Sequence, residues 1–313
     1  MIRTLLGRLL GALTGLFVLT VVVFFMVRLL PGTVEDVLLG SEETSPEVRA
    51  AFRAKYGLDE NVVVQYAKWL GNVVQGDFGS SIRSGNSVTS ELRAKLSPSL
   101  WLASAAVTLS FLASIVLGTL AALRRDRLVD RLSTLSSIIG SSVPDFVVGL
   151  LLLIVVARRY DAFPSFGYEP LSSGLWEWAR HLILPVAAMS LSLVGVMTRL
   201  TRTSVLATLE EDYVRTAIGK GLPRRRILTH HVIKPSLIPV VTTAGLLFVA
   251  VTGGVVVIEY VFSIPGLGRL ILESITFRDY PLIQGAALLI GVLAIMASVI
   301  VDIIHRILDP RIR

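Results

Sequence analysis

Six runs of about twenty mostly apolar residues decide what this chain can become. They lie near residues 9–30, 99–123, 132–157, 181–198, 236–262 and 281–305, and each is long enough to cross a hydrocarbon layer of about 30 Å as a helix. In lipid every backbone N–H and C=O needs a partner inside the protein, which favours helices over open strands. Charged residues make up 17% of the chain, against roughly 25% in an average soluble domain, and the mean hydropathy is +0.72. The expected fold class is therefore an all-α membrane protein with six transmembrane helices in one domain, residues 1–313. The first run follows a charged start resembling that of a signal peptide. It is longer than the usual apolar core of such peptides and ends without a small-residue cleavage site, so it is expected to stay attached.

Charge placement sets the expected orientation. With the N-terminus inside, the inner segments carry Arg3 and Arg8, then Arg124, Arg125, Arg127 and Arg131, then eight Lys or Arg from Arg199 to Lys234, then Arg306, Arg311 and Arg313. The short outer loops hold few: Arg158, Arg159, Arg269 and Arg278, with Arg180 at the edge of the fourth run. Long segments weigh little in this rule, so the seven basic residues of the first outer loop, residues 31–98, do not oppose it. Both termini are expected on the cytoplasmic side, and the net charge of +7 reads as topology rather than as a nucleic-acid surface. There is no cysteine, which excludes disulfides and thiol chemistry.

The long outer loop has apolar residues at helical spacing, Val48, Phe52 and Tyr56, then Val63, Tyr66, Trp69 and Val73, as two short amphipathic helices would. Asp77-Phe78-Gly79 matches a kinase metal-binding triplet, but the catalytic and glycine-rich loops of kinases are absent.

The largest inner loop, residues 199–235, has a different character. Val205, Leu209, Tyr213 and Ala217 recur every four residues and predict an apolar stripe on a surface helix, with Glu210, Glu211, Asp212 and Arg215 around it. Gly221 suits a left-handed helix end, and Pro223 suits the first turn of a second helix that starts with Arg224, Arg225 and Arg226. The predicted result is a two-helix elbow, a docking element for a soluble partner; the plain alternative is a solvated positive-inside loop. Gly219-Lys220 lacks the spacing of a phosphate loop, and the adjacent His230 and His231 cannot share a helix face as metal ligands, so no metal site is expected.

Ionisable residues inside spans are functional candidates. Asp145 follows Pro144, which can kink the helix; its carboxylate either lines a path and meets a cationic group on a substrate, or pairs with a neighbouring helix. Glu259 and Asp302 lie near span ends, where solvation is cheaper, and read as structural. Gly7, Gly11 and Gly15 have the spacing that lets another helix approach closely. Gly253 and Gly254 interrupt the fifth span, as packing features or as a gating bend.

Several long segments in fixed order resemble one family. They are "AKYGLDENVVVQY" and "GDFGSS" in the outer loop, "DYVRTAIGKGLPRRRILTHHVIKPSLIPVV" in the inner loop, "GGVVVIEYVFSIPGLGRL" in the fifth span, and "FRDYPLIQGAALLIG" and "VDIIHRILDPRIR" near the end. Across nearly its whole length the chain resembles the inner-membrane permease subunits of ABC importers in the dipeptide, oligopeptide and nickel branch. The resemblance implies a type I importer permease with an extended first extracytoplasmic loop. It implies as partners a second permease subunit of a different chain, two cytoplasmic ATPases and an extracytoplasmic binding protein. This chain would then bind no cofactor, ATP and Mg being used by the ATPases. The inner loop would hold the coupling helix. In that motif Arg215, Thr216 and Ala217 replace Glu-Ala-Ala with Gly221 in register, and Pro235 falls one position late. Tyr213, Pro223, Arg224 and Arg225 would surround the contact, while Pro144, Asp145, Gly253 and Gly254 are the candidates for the translocation path. An ion-coupled secondary transporter is the alternative, but residues 1–157 and 158–313 show no inverted repeat.

Overall fold

A computed structural model describes residues 2–28, 46–56, 59–160 and 162–308. Residues 31–45 of the expected outer loop and the inner charges Arg311 and Arg313 lie outside the described residues. The described chain is helical, and its residues fall into two compact units, 1–97 with 266–293, and 98–265 with 294–313.

The first unit contains α1 (Ile2–Arg28), α2 (Pro46–Tyr56), α3 (Val62–Val74), the start of α4 (Val88–Leu123), α11 (Leu267–Thr276) and the start of α12 (Tyr280–Leu308). Asn61 caps α3 by accepting from the Val63 amide at 2.9 Å, which satisfies one of the orphan donors of a helix start. The face of α3 that packs is Tyr66 and Trp69, against Phe24 of α1 at ring distances of 5.1 and 5.4 Å; Val63, expected on the same stripe, is exposed. The hydroxyls of Thr20 and Tyr66 are 2.9 Å apart. A short hairpin, paired at Ser80 and Ser87, ends on buried Asp279, whose carboxylate accepts from the Ser81 hydroxyl at 2.5 Å and the Ile82 and Arg83 amides at 3.2 and 3.3 Å. Helix α11 is not anticipated by the span pattern, although Leu267, Leu270, Ile271 and Ser274 follow helical spacing. It buries Leu267 and Leu270 against Val88, Leu92, Leu282 and Ala286.

The second unit contains the rest of α4 and α12, with α5 (Leu128–Ser142), α6 (Asp145–Leu152), α7 (Leu175–Leu209), α8 (Asp212–Gly219), α9 (Arg224–Gly253) and α10 (Val256–Val261). Single glycines set how closely its helices approach. A Cβ on Gly140 of α5 would lie 2.8 Å from the Leu191 carbonyl, and one on Gly195 of α7 would lie 2.6 Å from the Ser137 carbonyl. The backbones of α5 and α7 are thus in direct contact at two levels. By contrast, nothing lies within 4 Å of a Cβ on Gly11 or Gly15 among the described residues, so the described residues make no close approach at these two positions. A bidentate ion pair from Arg202 to Asp130, at 2.5 and 2.7 Å, also ties α7 to α5.

Among the described residues four helices, α4, α7, α9 and α12, are long and apolar enough to cross a membrane; α5 with α6 makes a fifth if the bent pair is one span. In α1 the described apolar stretch is Leu13–Phe25. The helices overrun the expected spans. α4 begins at Val88 rather than near residue 99, and α7 runs from Leu175 to Leu209 rather than over 181–198. The third expected span is two helices meeting at 93°. Extended Val143 and Pro144, at ψ 124° and 137°, make that break, since proline disfavours helix in the residue before it.

Candidate functional site

The elbow of residues 205–235 is built by two helix endings. α7 stops at Glu210, and extended Glu211 caps α8. This two-residue interruption shifts the helical register by one. Val214 and Ala217 are buried with Val205, whereas Tyr213, expected on that stripe, is 41% exposed. α8 then ends at Gly221 with φ +73°, the left-handed conformation that glycine adopts without penalty. The Gly221 amide donates to the Ile218 carbonyl at 2.9 Å and the Leu222 amide to the Ala217 carbonyl at 3.3 Å. These are the paired bonds of a Schellman ending, with Leu222 packed in the same apolar cluster as Ala217. Pro223 departs from the expected position in the first turn. It is the extended cap at ψ 136°, and the helix begins at Arg224.

The second arm of the elbow is the start of a helix of membrane-crossing length. α9 runs unbroken from Arg224 to Gly253, with Ile227–Ile233 wound as a π-helix. Ile227 and Val232 bury against Val205, Val214, Ala217 and Ala122, closing the elbow on itself. Outward it presents Arg215, Thr216, Arg224, Arg225 and Arg226, all exposed, with Arg215 lying 3.7 Å from Asp212. A cavity of about 470 Å3 lies against the elbow, lined by Leu123, Leu209, Ile218, Leu222 and Arg224 among others. The surface is cationic over an apolar base, which suits docking rather than bond-making chemistry.

The far end of α9 reaches the candidate path residues. Asp145 is the first residue of α6 after the 93° break and is half-buried. It lines a cavity of about 310 Å3 with Phe146, Met189, Val251, Val255 and Ile258. Val251 and Val255 flank Gly253 and Gly254, where the helix breaks before α10. Of the residues at the two interruptions read from the sequence, Asp145 lines this cavity, while Gly253 and Gly254 fall in the chain between its lining residues Val251 and Val255. From Arg224 to Ala250 the helix spans about 40 Å at 1.5 Å per residue.

Glu259 differs from expectation. It is not solvated at a span end: its side chain is fully buried, and the Ser99 hydroxyl donates to it at 2.7 Å. Sequence reasoning also missed Asp130 with Arg202, 72 residues apart, and Asp279 with Ser81, 198 apart, since no local pattern signals such pairs.

Comparison with known proteins places this geometry. Residues 114–313 match the family of inner membrane components of binding-protein-dependent transport systems, and residues 1–88 match the N-terminal part of such membrane components. The chain is 37% identical over 309 residues to a probable peptide ABC transporter permease of Sinorhizobium fredii, covering 99% of this chain and 98% of that protein. It is 37% identical over 297 residues to an oligopeptide transport system permease of Bacillus subtilis, covering 94% of each. It is 36% identical over 313 residues to a glutathione transport system permease of Salmonella paratyphi A, covering 100% of this chain and 99% of that one. A crystal structure of an amino acid ABC transporter with histidines shares the fold with a TM-score of 0.51 at 16% identity, covering 70% of this chain and 94% of that one. Helices of membrane-crossing length agree with the matches along the chain: this protein belongs to the family of inner membrane components of binding-protein-dependent transport systems, the membrane permease subunits of ABC importers.

Proposed function

We propose that this chain forms one half of the membrane core of an ATP-driven importer for peptides or a related small solute, as the names of its relatives suggest. In this reading it crosses the membrane six times over the runs named above, with both termini cytoplasmic and residues 31–98 as an extended outer loop. The other half is a different permease chain. A binding protein delivers the solute outside, and two cytoplasmic ATPase subunits, which use ATP and Mg, dock on the loop of residues 199–235.

The observation that carries the reading is the continuity of α9, from an elbow locked by Gly221 and Pro223 to the cavity of Asp145. A rigid helix with one end on a docking surface and the other at a cavity transmits a displacement. Tyr213, Arg215, Thr216, Ala217, Gly221, Pro223, Arg224 and Arg225 make up the docking element. Pro144, Asp145, Gly253 and Gly254 border the path, where the Asp145 carboxylate meets a cationic group such as a peptide amine.

Single cysteines test it against the cysteine-free background of the native chain. Cysteine at Tyr213 or Arg225 should crosslink to an ATPase subunit in the assembled transporter, and Ser84→Cys should react with an impermeant label from outside while Arg225→Cys does not. Labelling with the opposite sidedness, or no ATPase crosslink from either inner position, would sink the proposal.

A further inference from the structure

Within the first unit, α1, α3, the start of α4 and α12 enclose a groove of about 660 Å3, inside the range of about 300–1,000 Å3 typical of pockets for apolar small molecules. Its walls are apolar: Phe17, Val73, Phe78, Leu96, Leu289 and Val292 represent the contributing segments. Only Thr20, Thr89 and Arg93 bring polar atoms to the lining. Thr20 is already satisfied by the Phe17 carbonyl at 2.7 Å and by Tyr66, and the Thr89 hydroxyl reaches the Gly76 carbonyl at 3.5 Å. Arg93 is exposed and has no hydrogen-bond or ion-pair partner among the described residues.

The groove thus has an apolar body and one cation that has no partner among the described residues. Arg93 precedes by six residues the apolar run that starts near Ser99, about 9 Å along the helix, which is the depth of lipid headgroups rather than of tails. Thr89, one turn further out on the same helix face, also lines the groove. A protein segment filling this groove would need a carboxylate placed against Arg93 on an otherwise apolar surface. A phospholipid has that distribution by constitution, and a guanidinium fork matches phosphate oxygens in a bidentate manner.

We propose that this groove is a lipid site, holding one acyl chain of an anionic phospholipid against α1, α3 and α12 with its headgroup phosphate on Arg93. The inference rests on the membrane setting of the family and on the groove itself, not on the direction of transport or on the coupling role of the inner loop.

The test uses the assembled transporter in nanodiscs and native mass spectrometry after partial delipidation, with phosphatidylglycerol and phosphatidylcholine as competing probes. The wild-type protein should retain phosphatidylglycerol in preference. Arg93→Gln should lower that preference about five-fold, the ratio contributed by one basic residue toward an anionic surface, and leave phosphatidylcholine retention unchanged. Val73→Trp, which fills the groove from α3, should displace both. A photoreactive group on the acyl chain of phosphatidylglycerol should label Phe17 or Val292. Equal retention of the two lipids by wild-type protein, or no response to Arg93→Gln, overturns the proposal. So does efficient crosslinking of Val292→Cys to another permease chain, because the groove would then be a protein interface.

Discussion

Replacing Gly221 gives a graded test of the elbow, and its size can be worked out from the local geometry. The residue sits at φ +73°, and nothing lies within 4 Å of where its Cβ would be. Among the described residues an added Cβ meets nothing, so the penalty for alanine is conformational. For an L-residue the left-handed conformation costs about 1–2 kcal/mol, asparagine escapes most of this, and a β-branched residue suffers more. If docking needs the left-handed turn while the undocked loop can relax, ATPase affinity should fall by the same energy. That is about 5- to 30-fold for Gly221→Ala and more for Gly221→Val, with Gly221→Asn close to wild type. Affinity of the ATPase subunits for nanodisc-embedded permease, measured with substrate-stimulated ATP hydrolysis, reads the series, while yield from the membrane should stay constant. If Ala and Val bind as tightly as Gly, or Asn is as damaging as Val, the left-handed ending does not set the docking geometry.

The other predictions concern the second unit. Asp145→Asn should reduce transport while leaving assembled complex and basal ATP hydrolysis in place; loss of the complex would mark a purely structural carboxylate. Arg202→Met leaves the buried Asp130 carboxylate without its bidentate partner, so it should cost about 3–5 kcal/mol. Thermal inactivation should then occur at a lower temperature, and Asp130→Leu in the same chain should recover much of the loss. Gly195→Ala forces a Cβ to 2.6 Å from the Ser137 carbonyl and should destabilise α5 against α7 by about 1–3 kcal/mol, seen as a lower temperature of aggregation of the purified complex. Gly11→Ala, with open space around it, is the matched control within one chain.

The sequence made the membrane setting, the family and the glycine ending of the elbow legible, because each depends on residues close together in the chain. Long-range packing was not legible in the same way. The stripe through Tyr213 assumed one continuous helix; the two-residue break after α7 moved burial to Val214. Proline before Asp145 signalled a bend, but its size came from two successive extended residues, Val143 and Pro144. The repeated glycines of α1 drew attention through their spacing, yet the backbone contacts of the second unit use lone glycines, Gly140 and Gly195, on different helices. Pairings such as Asp279 with Ser81 bring together residues 198 apart and leave no trace in local pattern. The end of α7 was missed because the helix continues past the apolar run on residues such as Arg202, whose charge is neutralised by Asp130 rather than by water.

The buried Glu259 has a bearing on how the chain is made. A carboxylate on α10, close behind the spanning helix α9, raises the cost of inserting that segment alone, by less than the roughly 3 kcal/mol of an acidic residue at a helix centre. Its hydroxyl partner, Ser99, precedes it by 160 residues, so during synthesis the helix that carries Ser99 reaches the translocon well before Glu259 leaves the ribosome. The nascent fifth span can then exit sideways against a polar contact already in the bilayer. Order of synthesis thereby becomes part of the solution to burying the charge. A split version in which residues from about 224 onward are expressed before the rest should insert that span poorly, and Glu259→Gln should relieve the defect.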